Sequence, residues 1–238
     1  MTLLETANLT KRFGGIVAVN DVKLSIDRGE LRCLIGPNGA GKSTFFKMLT
    51  GQLTPTTGSI TFCGRQIAGA SPHKIARLGI GIKTQVPSVF DGLSVEENIF
   101  IAARRSNTAE TTGRVVRAIF ERIRFAKKAS SLVGQLSHGE RQWVEIGMVL
   151  AAGPQLILLD EPAAGMTREE ISRTAEIIRG LSTAHAVVVV EHDMEFVRMI
   201  AKTVTVFHQG QILIEGNVDA VMRDERVRDV YLGKKVAA

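Results

Sequence analysis

Gly36-Pro37-Asn38-Gly39-Ala40-Gly41-Lys42-Ser43-Thr44 follows directly on the apolar run Leu31-Arg32-Cys33-Leu34-Ile35. The stretch fits G-x-x-x-x-G-K-[ST], the phosphate-binding loop, in the strand-before, helix-after setting that the motif needs. Its glycines permit positive φ and put no Cβ in the way, so backbone N–H groups turn inward around phosphate oxygens. A helix beginning near Lys42 adds its N-terminal partial positive charge beneath the same phosphates. Lys42 then reaches the β- and γ-phosphates as a point charge, and the Ser43 hydroxyl is placed to coordinate Mg²⁺. A glycine turn that binds nothing is the competing reading, and the strand–loop–helix context argues against it. The stretch implies a nucleoside triphosphate site.

The whole chain has 238 residues, 45% hydrophobic and 23% charged, which fits one α/β domain able to bury a core without staples. No apolar run approaches the ~20 residues that span a bilayer. Ala186–Val190 is among the longest and reads as a buried strand. The start, Met1-Thr2-Leu3-Leu4-Glu5, lacks the basic and apolar regions of a signal peptide. Cys33 and Cys63 lie far apart with no C-x-x-C or Cys/His spacing, so both are expected to be buried free thiols in the cytosol. The net charge of +6 permits an anionic partner, but basic residues are dispersed and aromatics make up only 5%. Stacking platforms for single-stranded nucleic acid are therefore not expected, and a solvated surface with a modest basic excess is favoured.

Leu4 to Leu9 and Val17 to Ile26 read as strands around the turn at Gly14-Gly15, and a helix runs from Ser43 to Thr50. Ser59–Cys63 resumes strand character, and Ser71-Pro72 opens a short helix to about Leu78. Ser94-Val95-Glu96-Glu97 has the spacing of a capping box. Val115, Ile119 and Ile123 recur at i, i+4 and i+8, which predicts an amphipathic helix. A second helix follows Ser137 and carries Trp143, Ile146, Val149 and Leu150. Strand–helix alternation returns with Leu156–Leu159, Thr167–Leu181, Ala186–Val190 and Met194–Ala201, then strands near Val204–Phe207 and Gln211–Ile214. The alternation predicts a parallel sheet flanked by helices, with the middle helices as a separate lobe. Val227 to Ala238 ends in a basic stretch expected to be mobile.

Leu156-Ile157-Leu158-Leu159-Asp160-Glu161 is a buried strand ending in two acids. In a parallel sheet the carboxyl ends of the strands lie beside the phosphate loop. Asp160 can then reach the Mg²⁺ shell and Glu161 can polarise the attacking water.

Leu136-Ser137-His138-Gly139-Glu140, upstream of that pair, resembles the signature motif of ATP-binding cassette (ABC) ATPases. Gln85 matches that family's Q-loop glutamine, His192 in Val190-Glu191-His192-Asp193 its switch histidine, and Phe13 in Arg12-Phe13-Gly14-Gly15 the aromatic that stacks on adenine. The resemblance runs essentially from end to end, in the family's order and spacing. It implies a P-loop NTPase (RecA-like) core with an antiparallel β subdomain and an α-helical signature subdomain. On that pattern residues 1–87 and 151–238 form the β and RecA-like core and 88–150 the helical part. It implies ATP and Mg²⁺ as cofactors, with Ser43, Gln85 and Asp160 at the metal and Glu161, His192 and Gln85 in catalysis. It also implies a head-to-tail homo- or heterodimer in which each ATP sits between one chain's loop and the other chain's signature. Separate permease subunits, a periplasmic or extracellular solute-binding protein and a peripheral place on the cytoplasmic face of the inner membrane complete the expectation, with no nucleic acid.

Within the family the chain is similar to subunits of the group importing branched-chain amino acids and urea, through Lys11-Arg12-Phe13-Gly14-Gly15 and Val230-Tyr231-Leu232-Gly233. Thr84-Gln85-Val86-Pro87-Ser88-Val89-Phe90, Leu136-Ser137-His138-Gly139, Gln142 to Met148, Ala164-Gly165-Met166-Thr167 and Val188 to Met194 resemble the urea-type subunit more closely. Import of urea or a related small amide is thus the first expectation and branched-chain or hydrophobic amino acids the second. A soluble ABC ATPase acting on nucleic acid or the ribosome is the third. Glu140 stands where the signature usually carries Gln; His138 stands where it usually carries Gly, although His is usual in the urea-type pattern. Thr84 and Ile82 stand where the urea type carries Phe and Arg, and Ala163 to Met166 lacks the generic D-loop Asp.

Overall fold

A computed structural model of the chain describes residues 1–85 and 88–232. Val86, Pro87 and residues 233–238, which carry parts of two resemblance stretches, the expected subdomain boundary and the end of the expected mobile stretch, lie outside the described residues. The start of that stretch corrects the expectation, because residues 227–232 are helical with Val227 and Val230 buried. The chain opens with β1 (Thr2–Phe13) and β2 (Ile16–Asp27), an antiparallel pair in which Leu4 faces Ile26. Next come β3 (Leu31–Ile35), α1 (Lys42–Leu49), β4 (Thr57–Phe62), β5 (Arg65–Gln66), α2 (Pro72–Arg77) and β6 (Ile80–Lys83). The middle helices are α3 (Val95–Arg104), α4 (Ala109–Ile123) and α5 (His138–Ala151). After them come β7 (Leu156–Asp160), α6 (Arg168–Leu181), β8 (Ala186–Val190), α7 (Met194–Ile200), β9 (Thr203–His208), β10 (Gln211–Asn217), α8 (Val218–Arg223) and α9 (Glu225–Leu232).

Among the described residues the strands form two sheets, β2-β1-β4-β5 and β10-β9-β3-β8-β7-β6. The second is parallel from β9 to β6, with β10 antiparallel at one edge. Its central strands are buried on both faces, as a covered parallel sheet requires. Alternate residues of one strand therefore feed different cores. Cys33, Ile157, Leu159, Val187 and Val189 join a cluster with Ile99, Trp143 and Ile178 from the helices. Leu34, Leu156, Leu158, Val188 and Val190 join the other, with Phe45 and Phe46 of α1 and Leu4 and Ile60 of the antiparallel sheet.

The topology gathers chemistry at one edge. Strands β6, β7, β8 and β3 run parallel and side by side, so the residues after their carboxyl ends share one rim. Those residues are Gln85, Glu161, His192 and the glycine loop, and a rim of this kind is where open α/β sheets bind ligands.

The middle helices pack on one another around Gly147, where a Cβ would lie 3.1 Å from Ile119 and 3.2 Å from Ile123. The expected apolar stripe is shifted. Ile119 and Ile123 are buried, but Val116 and Phe120 share the core with them while Val115 is only half-buried. The cysteine expectation holds for Cys33 and is corrected for Cys63. Cys33 is buried, which pushes its thiol up. Cys63 is exposed, because β4 ends at Phe62 and Cys63 turns the chain with φ +49°. Among the described residues no helix is long and apolar enough to cross a membrane.

Candidate functional site

The glycine loop is shaped by its neighbours. At Gly36, with φ +145°, a Cβ would lie 2.2 Å from the Phe207 carbonyl oxygen. At Gly41, with φ +103°, it would lie 2.5 Å from that of Ala18. Backbone bonds fix the loop to the β9–β10 turn, with Gly210 N–H donating to Ala40 O at 2.9 Å. Gly41 is the N-cap of α1 and supplies no side chain to its first N–H groups, which is the arrangement that receives a phosphate. Lys42 is buried and its Nζ donates to the carbonyls of Gly36 at 2.6 Å and Pro37 at 3.0 Å. Burial pushes its ammonium down, while Glu161 and Asp160 pull it up, so the acids share the field of this lysine. A cradle that leaves no room for a Cβ at Gly36 or Gly41, with one buried ammonium at its base, fits a triphosphate.

Asp160 ends β7 opposite Val190. Its carboxyl is pushed up first by burial and then by Glu161, against Lys83, Lys47 and Lys42. Glu161 takes φ +45° and its N–H donates to Val190 O at 3.0 Å. A non-glycine residue in this region costs about 1–3 kcal/mol, a strain typical of functional positions. The turn aims the carboxylate into a triad of expected residues. His192 Nδ1 lies 3.2 Å from Oε1, and Gln85 Nε2 donates to Oε2 at 3.3 Å. Among the described residues no group of three or more His, Cys, Asp or Glu side chains is placed to hold a metal alone. Asp160, a single carboxylate in the field of Lys42 at the loop, is oxygen-donor chemistry of the kind Mg²⁺ takes together with substrate phosphates.

Two buried groups at this rim were missed by sequence reasoning. Glu191 accepts N–H bonds from Ala163 at 3.4 Å and His192 at 3.1 Å, so it holds the backbone on both sides of the triad; burial pushes its carboxyl up. Its signal was present in Val190-Glu191-His192, masked by the histidine beside it. Lys83, at the end of β6, is fully buried with Nζ 3.9 Å from Glu145 Oε2. The short strand that carries it was not recognised.

Phe13, 46% exposed at the end of β1, stands with Lys11 Nζ 5.1 Å from its ring centroid. At the other end of the chain Tyr231 of α9 meets the Gly36 backbone, and desolvation pushes its phenol up to about 12.

The signature residues form a separate cluster. Ser137 caps α5: Oγ accepts Glu140 N–H at 3.2 Å and Glu140 Oε2 accepts Ser137 N–H at 3.1 Å. Glu140 thus performs the cap that Gln would, and Lys128 Nζ on its Oε1 balances the added charge. His138 Nε2 lies 3.1 Å from Ala164 O. Leu136 and Gly139 are buried beside it. Its side-chain bonds to the rest of the fold run to Lys128, Ala164, Gln142 and Glu170 rather than to the glycine loop or Glu161.

A glycine cradle on one parallel strand, with an acidic pair on a near neighbour, defines a P-loop nucleoside triphosphatase. The added antiparallel sheet and helical group make the fold that of an ABC ATPase cassette. Residues 19–164 match the family described as ABC transporter, and the chain belongs to that family. It is 34% identical over 250 residues to the high-affinity branched-chain amino acid transport ATP-binding protein BraF of Pseudomonas aeruginosa, covering 98% of each chain. It is 34% identical over 251 residues to the corresponding LivG of Salmonella typhimurium, again covering 98% of each. A crystal structure of the ADP conformation of an ATP-binding cassette of an ABC transporter matches with a TM-score of 0.87 at 28% identity, covering 98% of this chain and 100% of that one. The chain is an ATP-binding, ATP-hydrolysing subunit of a transporter.

Proposed function

We propose that this cassette drives an importer of branched-chain or related hydrophobic amino acids. The observation that carries the reading is end-to-end similarity to BraF and LivG, both named for branched-chain amino acid transport. Urea, the first expectation from sequence, is the second reading. It rests on the residue stretches around Gln85, Gln142 and Met166, and the relatives' names favour the amino acid reading over it. Transport relatives also weigh against action on nucleic acid or the ribosome.

Mechanistically, the core (1–87 and 151–238) binds ATP on Gly36 to Thr44, with Lys42 on the β- and γ-phosphates and Phe13 against adenine. Ser43, Asp160 and Gln85 would hold Mg²⁺, which when bound neutralises charge developing on the phosphates. Glu161 accepts the proton of the attacking water, a role worth ~10²–10⁴ in rate. His192 and Gln85, each in contact with the Glu161 carboxylate, fix its direction. The helical part (88–150) offers Leu136 to Glu140 to the ATP of a second cassette, identical or sister, so closure of the pair follows ATP binding. Between β6, α3 and α5 lies a groove of about 880 Å³ lined by Ile82, Ile101, Met148 and Val149, and this groove would receive a permease subunit. The assembly sits peripherally on the cytoplasmic membrane face and takes its cargo from a solute-binding protein.

Copurification with the membrane subunits, followed by ATPase assay in vesicles with the binding protein, tests this reading. Leucine, isoleucine or valine is expected to stimulate hydrolysis and urea is not. Stimulation by urea alone would replace the first reading with the second.

A further inference from the structure

The first turn of α5 is pressed against a carboxylate of its own chain. Ser137 has one hydroxyl proton, and its O–H donates to Glu170 Oε1 at 3.0 Å. Glu170 is held in place from the other side. Its Oε2 accepts the Thr167 N–H at 2.9 Å and the Thr167 hydroxyl at 3.0 Å, in a capping box at the start of α6. The Thr-x-x-Glu spacing therefore presents the carboxylate toward α5 as a by-product of starting α6. The approach is close. A Cβ at Gly139 would lie 2.5 Å from the Glu170 carboxyl carbon and from Oε1, so glycine there lets the carboxylate lie along the turn. Above it opens a hollow of about 380 Å³ whose lining includes Ser137, Glu140, Glu170 and Arg173.

The hydroxyl that the head-to-tail reading assigns to an opposing γ-phosphate is thus already donated to an internal anion. One proton cannot serve both, and two anions brought to the same hydroxyl repel. We propose that Glu170 is a positioning residue that competes with the opposing triphosphate for the Ser137 hydroxyl and so raises the ATP concentration at which the cassettes close. The inference rests on the head-to-tail reading given under Proposed function. When the triphosphate arrives, the Ser137 O–H turns from Glu170 to the phosphate, and Glu170 keeps its two bonds to Thr167.

Glu170→Gln removes the charge and keeps the α6 cap, because Gln serves in a capping box as Glu does. In the copurified transporter it is expected to lower KM for ATP roughly fivefold with little change in kcat, because the amide oxygen keeps the Thr167 cap and the NH₂ turned to Ser137 donates but cannot accept, which frees the hydroxyl. The same substitution on a Ser137→Ala background is expected to lower KM much less, because only the relief of charge repulsion remains. Glu170→Asp, which withdraws the carboxylate by one methylene, is expected to shift KM in the same direction and serves should the Gln variant fold poorly. An unchanged or raised KM in Glu170→Gln overturns the competition, as does an effect that persists undiminished without the Ser137 hydroxyl. Ser137→Ala separates the two levels of argument. If it raises KM while Glu170→Gln has no effect, only the competition falls; if Ser137→Ala itself alters neither KM nor kcat, the head-to-tail reading falls and takes the competition with it.

Discussion

His192 Nδ1 lies 3.2 Å from Glu161 Oε1, and the opposite carboxylate oxygen accepts Gln85 Nε2 at 3.3 Å. One carboxylate is thus pinned by residues that follow two different strands, β6 and β8, on either side of its own. A group fixed at both oxygens loses little orientation when it takes a proton. Glu161→Gln keeps the shape and removes the basic oxygen. It is expected to leave nucleotide affinity unchanged and to lower single-turnover hydrolysis by ~10²–10⁴. Hydrolysis within about twofold of the native rate would remove Glu161 from the role of base.

The glycines of the loop are unequal. Gly36→Ala places a Cβ 2.2 Å from the Phe207 carbonyl oxygen at φ +145°, so backbone of β9 must move. Gly39, at φ +78°, has nothing within 4 Å of its Cβ position and faces conformational strain alone. Gly36→Ala is expected to lower stability by upward of ~2 kcal/mol, strain and overpacking combined. Gly39→Ala is expected to cost about 1–2 kcal/mol. Urea denaturation of the two variants ranks them; the reverse order would refute the cradle geometry.

What sequence revealed was local. The loop between β3 and α1, the acids ending β7, the cap at Ser94 and the helix start after Ser137 each lie within a few residues, and each structure follows from that spacing. What it concealed depends on partners far along the chain. Lys83 belongs to a four-residue strand whose pairing with Leu156–Leu159 exists only in the folded sheet. Glu170 is recognisable as a cap from Thr167, yet its bond to Ser137 spans 33 positions. Cys63 departs from its strand-like surroundings because β4 stops one residue short of it, at a left-handed turn that the local pattern does not mark.

Lys83 and Glu145 join β6 to the helix that carries the signature. Both are buried, at 0% and 4% side-chain exposure, and Ser88 N–H donates to Glu145 Oε1 at 3.0 Å. Burial pushes the lysine down and the glutamate up, so each charge is costly there and each is opposed chiefly by the other. Removing one partner leaves the second stranded. Lys83→Met is expected to cost ~3–5 kcal/mol, and the double variant Lys83→Met/Glu145→Gln to recover most of that loss. A denaturant-derived cycle checks it; strictly additive losses would show that the two charges do not act as a pair.

Acid tests the cap of α3. Glu97 Oε2 accepts the Ser94 N–H at 2.7 Å and the Ser94 hydroxyl at 2.8 Å. The Ser94 backbone bond first, and its hydroxyl second, hold the carboxyl below its usual 4.5. Between the folded and unfolded values the unfolded chain binds more protons, so this cap's stabilisation is fully present above about pH 4.5 and is lost as pH falls through the folded value. Glu97→Gln keeps a capping acceptor without the ionisation. It is expected to flatten the fall of stability with acidification below pH 4.5, relative to the native chain, in denaturant titrations at stepped pH. Superimposable acid limbs for the two proteins would mean that the Ser94 bonds do not favour the ionised carboxylate in the fold.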